Sequence, residues 1–236
     1  MGMLDQSRTP DVDRTPDEDR TPDVVLMADP RVTAIPVRDN GQGLVDVRDR
    51  GLRVSSLRAD DAGIFAHLRT GLADRLVQAA GALPGGVQFL IVEGYRPPAL
   101  QRRYFDDYLG WLRAADPSAD PDRLRVLASR HVSPPEVAPH CAGAAVDLTL
   151  CTDDGLELDL GTSINATPEQ SAGACYTDHP SVSGQAKRNR AVLAQALRPA
   201  GLVNYPTEWW HWSYGDRYWA LAIGAPQASY GPRQMR

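Results

Sequence analysis

Segments that predict helices and strands follow one another in this sequence without the regular strand–helix–strand alternation of a parallel α/β protein. Apolar side chains at four-residue spacing predict a first helix over residues 62–80, capped by Asp60 or Asp61, and an apolar run predicts a strand over 87–92. Further helices are predicted from Pro98 onward, near 121–129 and over 183–197, and further strands at 144–150, 156–160, 202–205 and 209–214. This order predicts an α+β domain with a small antiparallel or mixed sheet flanked by helices.

Residues 1–30 differ in composition from the rest of the chain. They contain three near-copies of a six-residue unit, RTPDVD, RTPDED and RTPDVV, which begin at Arg8, Arg14 and Arg20. Each copy has a proline and almost no apolar side chain, so three copies cannot bury a core. We predict a disordered acidic tail over 1–30 and a single domain over 31–236. A role of the tail in binding a partner stays open beside its simpler interpretation as a linker.

The formal charge of the chain is concentrated in that tail. The net charge is −5, and residues 1–30 hold eight acidic residues and three arginines. Subtracting these from totals of 30 acidic and 25 basic residues leaves 22 of each, so the predicted domain is formally neutral. A nucleic-acid partner is not expected, because such proteins present a basic surface.

Hydropathy and cysteine content bear on the compartment. No segment has the roughly 18 consecutive apolar residues that a membrane helix needs, and the N-terminus lacks the basic and apolar regions of a secretory signal. We therefore expect a cytoplasmic protein without a membrane partner. The three cysteines, Cys141, Cys151 and Cys175, are odd in number and irregularly spaced, which favours neither a disulfide framework nor a thiolate zinc site.

Two short segments place histidine and carboxylate side chains close together in the sequence. His140 lies in a small-residue turn that leads into a strand, with Asp147 seven positions later. His211 lies in an aromatic segment, with Glu208 three positions before it. Two histidine nitrogens and one carboxylate oxygen are a typical catalytic zinc set, which keeps its fourth position for water. A histidine near a strand is also often purely structural, and spacing alone does not separate these interpretations.

Strand geometry adds a condition for such a site. Side chains at odd separations point to opposite faces of a strand, and both pairs have odd separations. One member of each pair is therefore expected on a flanking loop. Gly143 supplies a bend within the first pair, and a Pro-Thr dipeptide precedes the second pair.

Four segments, taken in order, resemble the D-alanyl-D-alanine dipeptidases of the zinc DD-peptidase superfamily, the type associated with vancomycin resistance. They are EGYRP at 93–97, an HxxGxAxD-like pattern followed by LTL at 140–150, DLGT at 159–162, and EWWH at 208–211. The resemblance extends from about Ile91 to Trp219. It implies the zinc DD-peptidase fold, which Hedgehog-type zinc-binding domains share.

The resemblance also implies roles for individual residues. His140, Asp147 and His211 would bind one zinc ion per chain, which lowers the pKa of its water toward about 7 and polarises the scissile carbonyl. Glu208 would take a proton from the water and return it to the leaving amine, and Arg96 would stabilise the tetrahedral oxyanion. The residues expected in the substrate pocket are Tyr95, Asn165 and Trp210.

Departures from the family pattern affect substrate choice more than chemistry. The family usually has a serine two residues before the first zinc histidine and a Ser-Arg pair after it, where this chain has Ala138, Cys141 and Ala142. The family loop after Gly161 usually ends in an aspartate that receives the free amino group of the dipeptide, and Asn165 takes that place. An amide cannot neutralise an ammonium, so recognition of a free N-terminus should weaken.

We predict a zinc metallopeptidase that hydrolyses a small D-amino-acid-containing dipeptide such as D-alanyl-D-alanine, in antibiotic resistance, cell-wall recycling or biosynthesis. A DD-carboxypeptidase, or an amidohydrolase acting on a modified or N-blocked small peptide, is the alternative. From a different class, a non-hydrolytic zinc-binding module of the same fold would require neither Glu208 nor Arg96. A protein that binds no metal is the third alternative, and the oligomeric state is open, a homodimer included.

Overall fold

In residues 24–235, which the computed structural model describes, a five-stranded and a two-stranded sheet are accompanied by six helices. The strands are β1 (Leu44–Asp46), β2 (Arg53–Val54), β3 (His67–Arg69), β4 (Val87–Glu93), β5 (Ala145–Thr152), β6 (Val203–Asn204) and β7 (His211–Ser213). The helices are α1 (Pro30–Thr33), α2 (Thr70–Ala80), α3 (Pro98–Ala115), α4 (Pro121–Ala128), α5 (Gly184–Leu197) and α6 (Arg217–Ile223). No helix in this range is both long and apolar enough to cross a membrane.

The larger sheet has the strand order β2-β4-β5-β7-β6, and β1 pairs with β3 in the smaller one. Strand β2 runs parallel to β4, whereas the other neighbours in the larger sheet are antiparallel. Helices α2 and α5 pack in one apolar cluster with β5 through Leu72, Leu76, Leu148, Leu150, Leu193 and Leu197. The predicted α+β class with a small mixed sheet is confirmed.

Strand register places three acidic or histidine side chains in one row across the middle of the larger sheet. Glu93 on β4 pairs with Asp147 on β5, and Asp147 pairs with His211 on β7. Residues directly opposite one another in a sheet project from the same face. All three are buried, which is unusual for ionisable side chains unless they have partners. We call these residues the Glu93–Asp147–His211 row.

The predicted first helix is wrong in its N-terminal half. Residues Ile64–Ala66 form a 3₁₀ turn, capped by the Asp60 carboxylate, and His67 lies on β3. The carbonyls of Phe65 and His67 accept hydrogen bonds from the backbone N–H groups of Gly94 and Tyr95, at 2.6 and 2.7 Å. Tertiary hydrogen bonds therefore override the helical periodicity, and α2 begins only at Thr70.

The weak strand predicted at 156–160 is also wrong. Only an isolated bridge joins Glu157 to Cys151. The Asp159 carboxylate accepts a hydrogen bond from the N–H of Gly161 at 2.8 Å, and Gly161 has a φ of 94°. This left-handed turn leads the chain away from the sheet after a single bridge.

The packed part of the chain begins before the predicted boundary at residue 30. Met27 is fully buried, and its N–H donates to the Tyr205 hydroxyl at 3.0 Å. Asp29 caps α1 by accepting from the N–H of Arg31. Residues 24–30 thus contact the rest of the described chain, whereas most of the predicted tail, residues 1–23, lies outside the described residues.

A buried arginine, Arg69, connects three distant parts of the chain. Arg69 is fully buried and donates to the carbonyls of Gln42, Ala142 and Gly231, at 2.6 to 2.7 Å. Its charge is balanced by Asp39, at 2.5 Å. Burial raises the pKa of Asp39, but hydrogen bonds from Arg69 and backbone N–H groups outweigh this and lower the pKa to about 2.

We expect Asp39→Asn to lower the free energy of unfolding at pH 7 by about 2 kcal/mol, because Arg69 would keep its buried charge without a counter-ion. The folded-state pKa lies below the ordinary value, so the contribution of Asp39 is complete above about pH 4 and is lost as the pH falls toward 2. Urea unfolding at pH 7 and pH 3 measures this, and the variant should differ less from the parent at pH 3. Asp74→Asn, in an exposed pair with Arg50, is the control and should cost less than about 1 kcal/mol.

Candidate metal centre and active site

Three potential metal ligands converge at one end of β5. The Nε2 atom of His140, one Asp147 carboxylate oxygen and the Nδ1 atom of His211 lie within 4.8 Å of one another. The His211 nitrogen is 3.0 Å from Asp147 Oδ1 and 3.1 Å from His140 Nε2, and the distance from His140 Nε2 to Asp147 Oδ1 is 3.3 Å. All three side chains are buried. The structure therefore brings together all three predicted zinc ligands.

The ligands come from different local structures, as the odd sequence separations required. Asp147 and His211 are neighbours on paired strands, whereas His140 lies in the 3₁₀ turn Pro139–Ala142. Gly143 ends that turn with a φ of 62°, in the left-handed region that favours glycine. A Cβ at this position would also press against a methyl group of Leu44, the end of a flexible side chain. The backbone conformation is therefore the main reason for glycine here.

A backbone carbonyl fixes the orientation of the first histidine. His140 Nδ1 lies 2.6 Å from the carbonyl oxygen of Gly94, so we assign the proton to Nδ1 and the free lone pair to Nε2. This is the usual arrangement around metal sites, where the second ring nitrogen of a ligand donates to an outer partner. Gly94 cannot carry a side chain here, because a Cβ would lie 2.6 Å from the carbonyl oxygen of His67.

The charges of the three converging side chains, His140, Asp147 and His211, which we call the cluster, favour an ionised aspartate. Burial raises the pKa of Asp147, but the two histidines outweigh this effect and hold it below its ordinary value. Burial lowers the pKa of His211, whereas the Asp147 carboxylate, with smaller effects of Glu208 and Asp216, raises it overall. The cluster thus holds negative charge on oxygen next to two imidazole nitrogens.

The donor set fits a zinc ion. Two imidazole nitrogens and a carboxylate oxygen match the three-ligand pattern of catalytic zinc sites. In the described residues the Nε2 atom of His211 is buried without a hydrogen-bond partner, so the polar contacts of that ring are all made by Nδ1. A cation would also relieve the close approach of His140 Nε2 and His211 Nδ1, which both point toward the same space.

Glu208 lies beside the cluster without belonging to it. One carboxylate oxygen is 3.7 Å from His211 Nδ1, and the other is 3.4 Å from the Nδ1 atom of His131. The second contact is close but lacks hydrogen-bond geometry. A turn closed by the N–H of Glu208 and the carbonyl of Tyr205 sets the carboxylate just before β7. The Glu208 carboxylate therefore lies beside the three converging side chains without being one of them.

Arg96 is held rigidly next to the cluster. Its guanidinium makes two hydrogen bonds to Glu93, at 2.6 and 2.7 Å, and a third to the Gln101 side-chain oxygen at 2.8 Å. Its N–H donates to the carbonyl of His140 at 3.1 Å. A guanidinium has five N–H donors, so two remain for a substrate. Burial raises the pKa of Glu93, but Arg96 outweighs this and lowers it, so the pair is ionised.

Two of the predicted substrate-binding residues, Tyr95 and Trp210, are buried. Tyr95 is buried, and its hydroxyl donates to the carbonyl of Arg233 at 2.8 Å. Trp210 is fully buried in the main core, edge-on to Trp209, and its indole N–H has no partner among the described residues. Their part in substrate binding stays a prediction. The tryptophans of this segment lie within the core, so their faces are not available for stacking on bases.

Asn165 lies in the loop after β5 with a φ of 64°, in the left-handed region that asparagine tolerates. We orient its side-chain amide so that the oxygen faces hydrogen-bond donors and the nitrogen faces acceptors. The oxygen then accepts from Arg58 Nε and Nη2, at 3.3 and 3.1 Å. Its direct neighbour is therefore a cation. This contact was not predictable from local patterns, because Arg58 lies more than a hundred positions earlier in an irregular segment.

Several further residues near the site were not assigned from the sequence. His131 contacts Glu208, whereas Glu136 pairs with Arg125 and His179 contacts Ser181. Burial raises the pKa of the Cys141 thiol to about 12, which fits packing rather than nucleophilic attack. Glu93 was part of a recognised motif, yet its role in holding Arg96 appears only in the sheet register.

Comparison with known proteins places the chain in a family. Residues 64–227 match the family model of the M15 peptidases, described as D-Ala-D-Ala dipeptidase. The chain is similar to a D-alanyl-D-alanine dipeptidase of Synechocystis, with 30% identity covering 79% of this chain and 87% of that protein. A D-alanyl-D-alanine dipeptidase of Escherichia coli is 32% identical over 53% of this chain and 54% of its own length.

Among solved structures, the LdcB LD-carboxypeptidase aligns with 79% of this chain and 73% of its own, at 18% identity and a TM-score of 0.46. That likeness is too distant to bear on function. The family match covers well over half of the chain and contains the three converging ligands, Glu208 and Arg96. The chain is thus a peptidase that belongs to the M15 family of D-Ala-D-Ala dipeptidases.

Proposed function

We propose that this protein is a zinc-dependent hydrolase of the peptide bond between two D-alanine residues in a small peptide. The observation that carries the proposal is the convergence of His140, Asp147 and His211 with Glu208 beside them. A structural zinc site would be closed by a fourth protein ligand, whereas this one has three ligands and a neighbouring carboxylate. Zinc held there supplies Lewis-acid chemistry, since it polarises a carbonyl and makes water nucleophilic near neutral pH.

The residues of the chain divide the remaining work. The Glu208 carboxylate accepts a proton from the attacking water and delivers it to the leaving amine. The two free N–H groups of Arg96 stabilise negative charge on the carbonyl oxygen as it develops. Because Glu93 and Gln101 already hold the guanidinium, little side-chain freedom is lost when the substrate binds. The burial of the cluster strengthens each of these interactions by excluding water.

D-Alanyl-D-alanine is the leading substrate, and a blocked or modified dipeptide is the specific alternative. The contact of Asn165 with the Arg58 guanidinium favours the alternative, because neither side chain can neutralise a substrate ammonium. The predicted cytoplasmic location and the link to antibiotic resistance stay predictions from the sequence.

Turnover of four compounds by the zinc-loaded protein tests this function: D-Ala-D-Ala, N-acetyl-D-Ala-D-Ala, L-Ala-L-Ala and an N-acylated tripeptide ending in D-Ala-D-Ala. We expect release of D-alanine from at least one D,D compound and none of L-alanine from the L,L control, measured by chiral chromatography. Release from the tripeptide alone would favour a carboxypeptidase. If no D,D bond is cleaved although zinc is bound, the hydrolytic proposal is wrong.

A further inference from the structure

Arg58 is a half-buried cation close to the site. Its guanidinium carbon lies 5.7 Å from the ring centroid of Tyr104, and the guanidinium carbon of Arg96 lies 5.1 Å from the same centroid. A single aromatic ring on α3 therefore contacts both arginines. Since the N–H of Arg96 donates to the carbonyl of His140, Tyr104 and Arg96 connect Arg58 to the site.

The two arginines differ in how their charge is balanced. Arg96 makes a two-point ion pair with Glu93, so its positive charge is offset within the protein. In the described part of the chain, Arg58 forms no ion pair with a carboxylate, and its hydrogen-bond partner is the neutral amide of Asn165. Of the two guanidinium groups that contact the ring of Tyr104, that of Arg96 is neutralised by a carboxylate, and that of Arg58 is not.

The contacts of Arg58 hold the guanidinium in place without saturating it. Its Nε and one of its Nη2 hydrogens point to Asn165, and the ring of Tyr104 supports the group. A guanidinium has five N–H donors, so most of its capacity remains. A partly desolvated, fixed arginine with free donors binds carboxylates in two-point geometry, and it repels ammonium groups.

We propose that Arg58, Asn165 and Tyr104 form a subsite for a carboxylate of the substrate. The inference rests on the proposed function for the nature of the substrate, and it makes Arg58 a residue that determines specificity. A small peptide offers two sources of this group: its own C-terminus, or an acyl substituent on its amino end. Arg58 would bind a carboxylate from either source in the same way. Pairs of ligands that differ in only one carboxylate distinguish the two sources.

The first measurement compares kcat/KM within two ligand pairs that differ in one carboxylate. N-succinyl- against N-acetyl-D-Ala-D-Ala reports a carboxylate at the amino end, and D-Ala-D-Ala against its C-terminal amide reports the carboxyl end. We expect Arg58→Gln to lower the charged-to-neutral ratio about tenfold or more in one of the pairs, as for the loss of a charge-assisted hydrogen bond. Circular dichroism melting verifies that the variant is folded.

Arg53→Gln is the matched control for loss of a half-buried arginine. Arg53 also lacks a carboxylate partner among the described residues, and it donates to the carbonyl of Asp153 at 2.7 Å. Asp147 lies near the start of β5, and Asp153 directly follows its end. At the usual rise of a strand, the two residues are about 20 Å apart. Both ratios should stay within about twofold of the parent in this variant.

Asn165→Asp gives an independent test, because aspartate tolerates the same left-handed backbone and would neutralise Arg58 by an ion pair. It should lower the same ratio as Arg58→Gln. Calorimetric binding of the four ligands to zinc-loaded Glu208→Ala protein, with and without Arg58→Gln, adds a readout that needs no turnover, so a failed hydrolytic proposal is distinguished from a failed subsite. If Arg58→Gln changes neither kinetic ratio and none of the four binding constants by more than about twofold, the subsite does not exist.

Discussion

Replacement of Glu208 by alanine will lower kcat for D,D-dipeptide hydrolysis by about 10²–10⁴-fold while one zinc ion stays bound per chain. The carboxylate that we propose as the proton carrier lies 3.7 Å from His211 Nδ1, outside the three converging side chains. KM should change much less than kcat, since the lost interaction acts on the transition state. The measurements are D-alanine release under saturating substrate and zinc content by atomic absorption.

Two further variants make the Glu208 result specific. Glu208→Gln keeps the side-chain volume and should be nearly as inactive as the alanine variant, because an amide cannot accept the proton. Glu136→Ala removes an exposed carboxylate paired with Arg125 and should keep full activity. Loss of zinc together with activity in Glu208→Ala would make this residue a ligand and overturn its assignment as the proton carrier.

Removal of the metal will abolish hydrolysis altogether, and zinc will restore it. Without zinc, the three side chains would be an ionised Asp147 beside two imidazoles, and no Lewis acid would activate the attacking water. We therefore expect dialysis against a chelator to lower activity at least 10³-fold and added zinc at one equivalent per chain to recover it. The melting temperature should rise on reloading, because a ligand that binds only the folded state stabilises it.

Histidine variants test which side chains hold that metal. His211→Ala removes a ligand on β7 and should leave the purified protein with less than a tenth of the zinc of the parent. His179→Ala is the matched control, since His179 contacts Ser181 and lies outside the cluster. Equal zinc content in both variants would show that the three residues are not the binding site.

The convergence of His140, Asp147 and His211 was predictable because each lies in a short segment with its own signal. The Glu93–Asp147–His211 row was not predictable, since register depends on which strands pair with each other. Spacing in the sequence indicated only that one member of each histidine–carboxylate pair lies on a strand and the other on a loop. The prediction of the first helix was wrong for a related reason. The carbonyls of Phe65 and His67 accept hydrogen bonds from Gly94 and Tyr95, and no local sequence pattern indicates such long-range contacts. Arg58 carried no signal at all, because its significance comes from Tyr104 and Asn165.

The Glu93–Asp147–His211 row also bears on how the protein folds. Its members are 54 and 64 positions apart in the chain, so the row is complete only after β4, β5 and β7 have paired. A slip of one residue in β5 would turn Asp147 to the other face and separate it from both Glu93 and His211. Metal affinity should therefore be absent from partly folded chains and arise late in refolding, which makes zinc capture a time-resolved report on the assembly of the whole sheet.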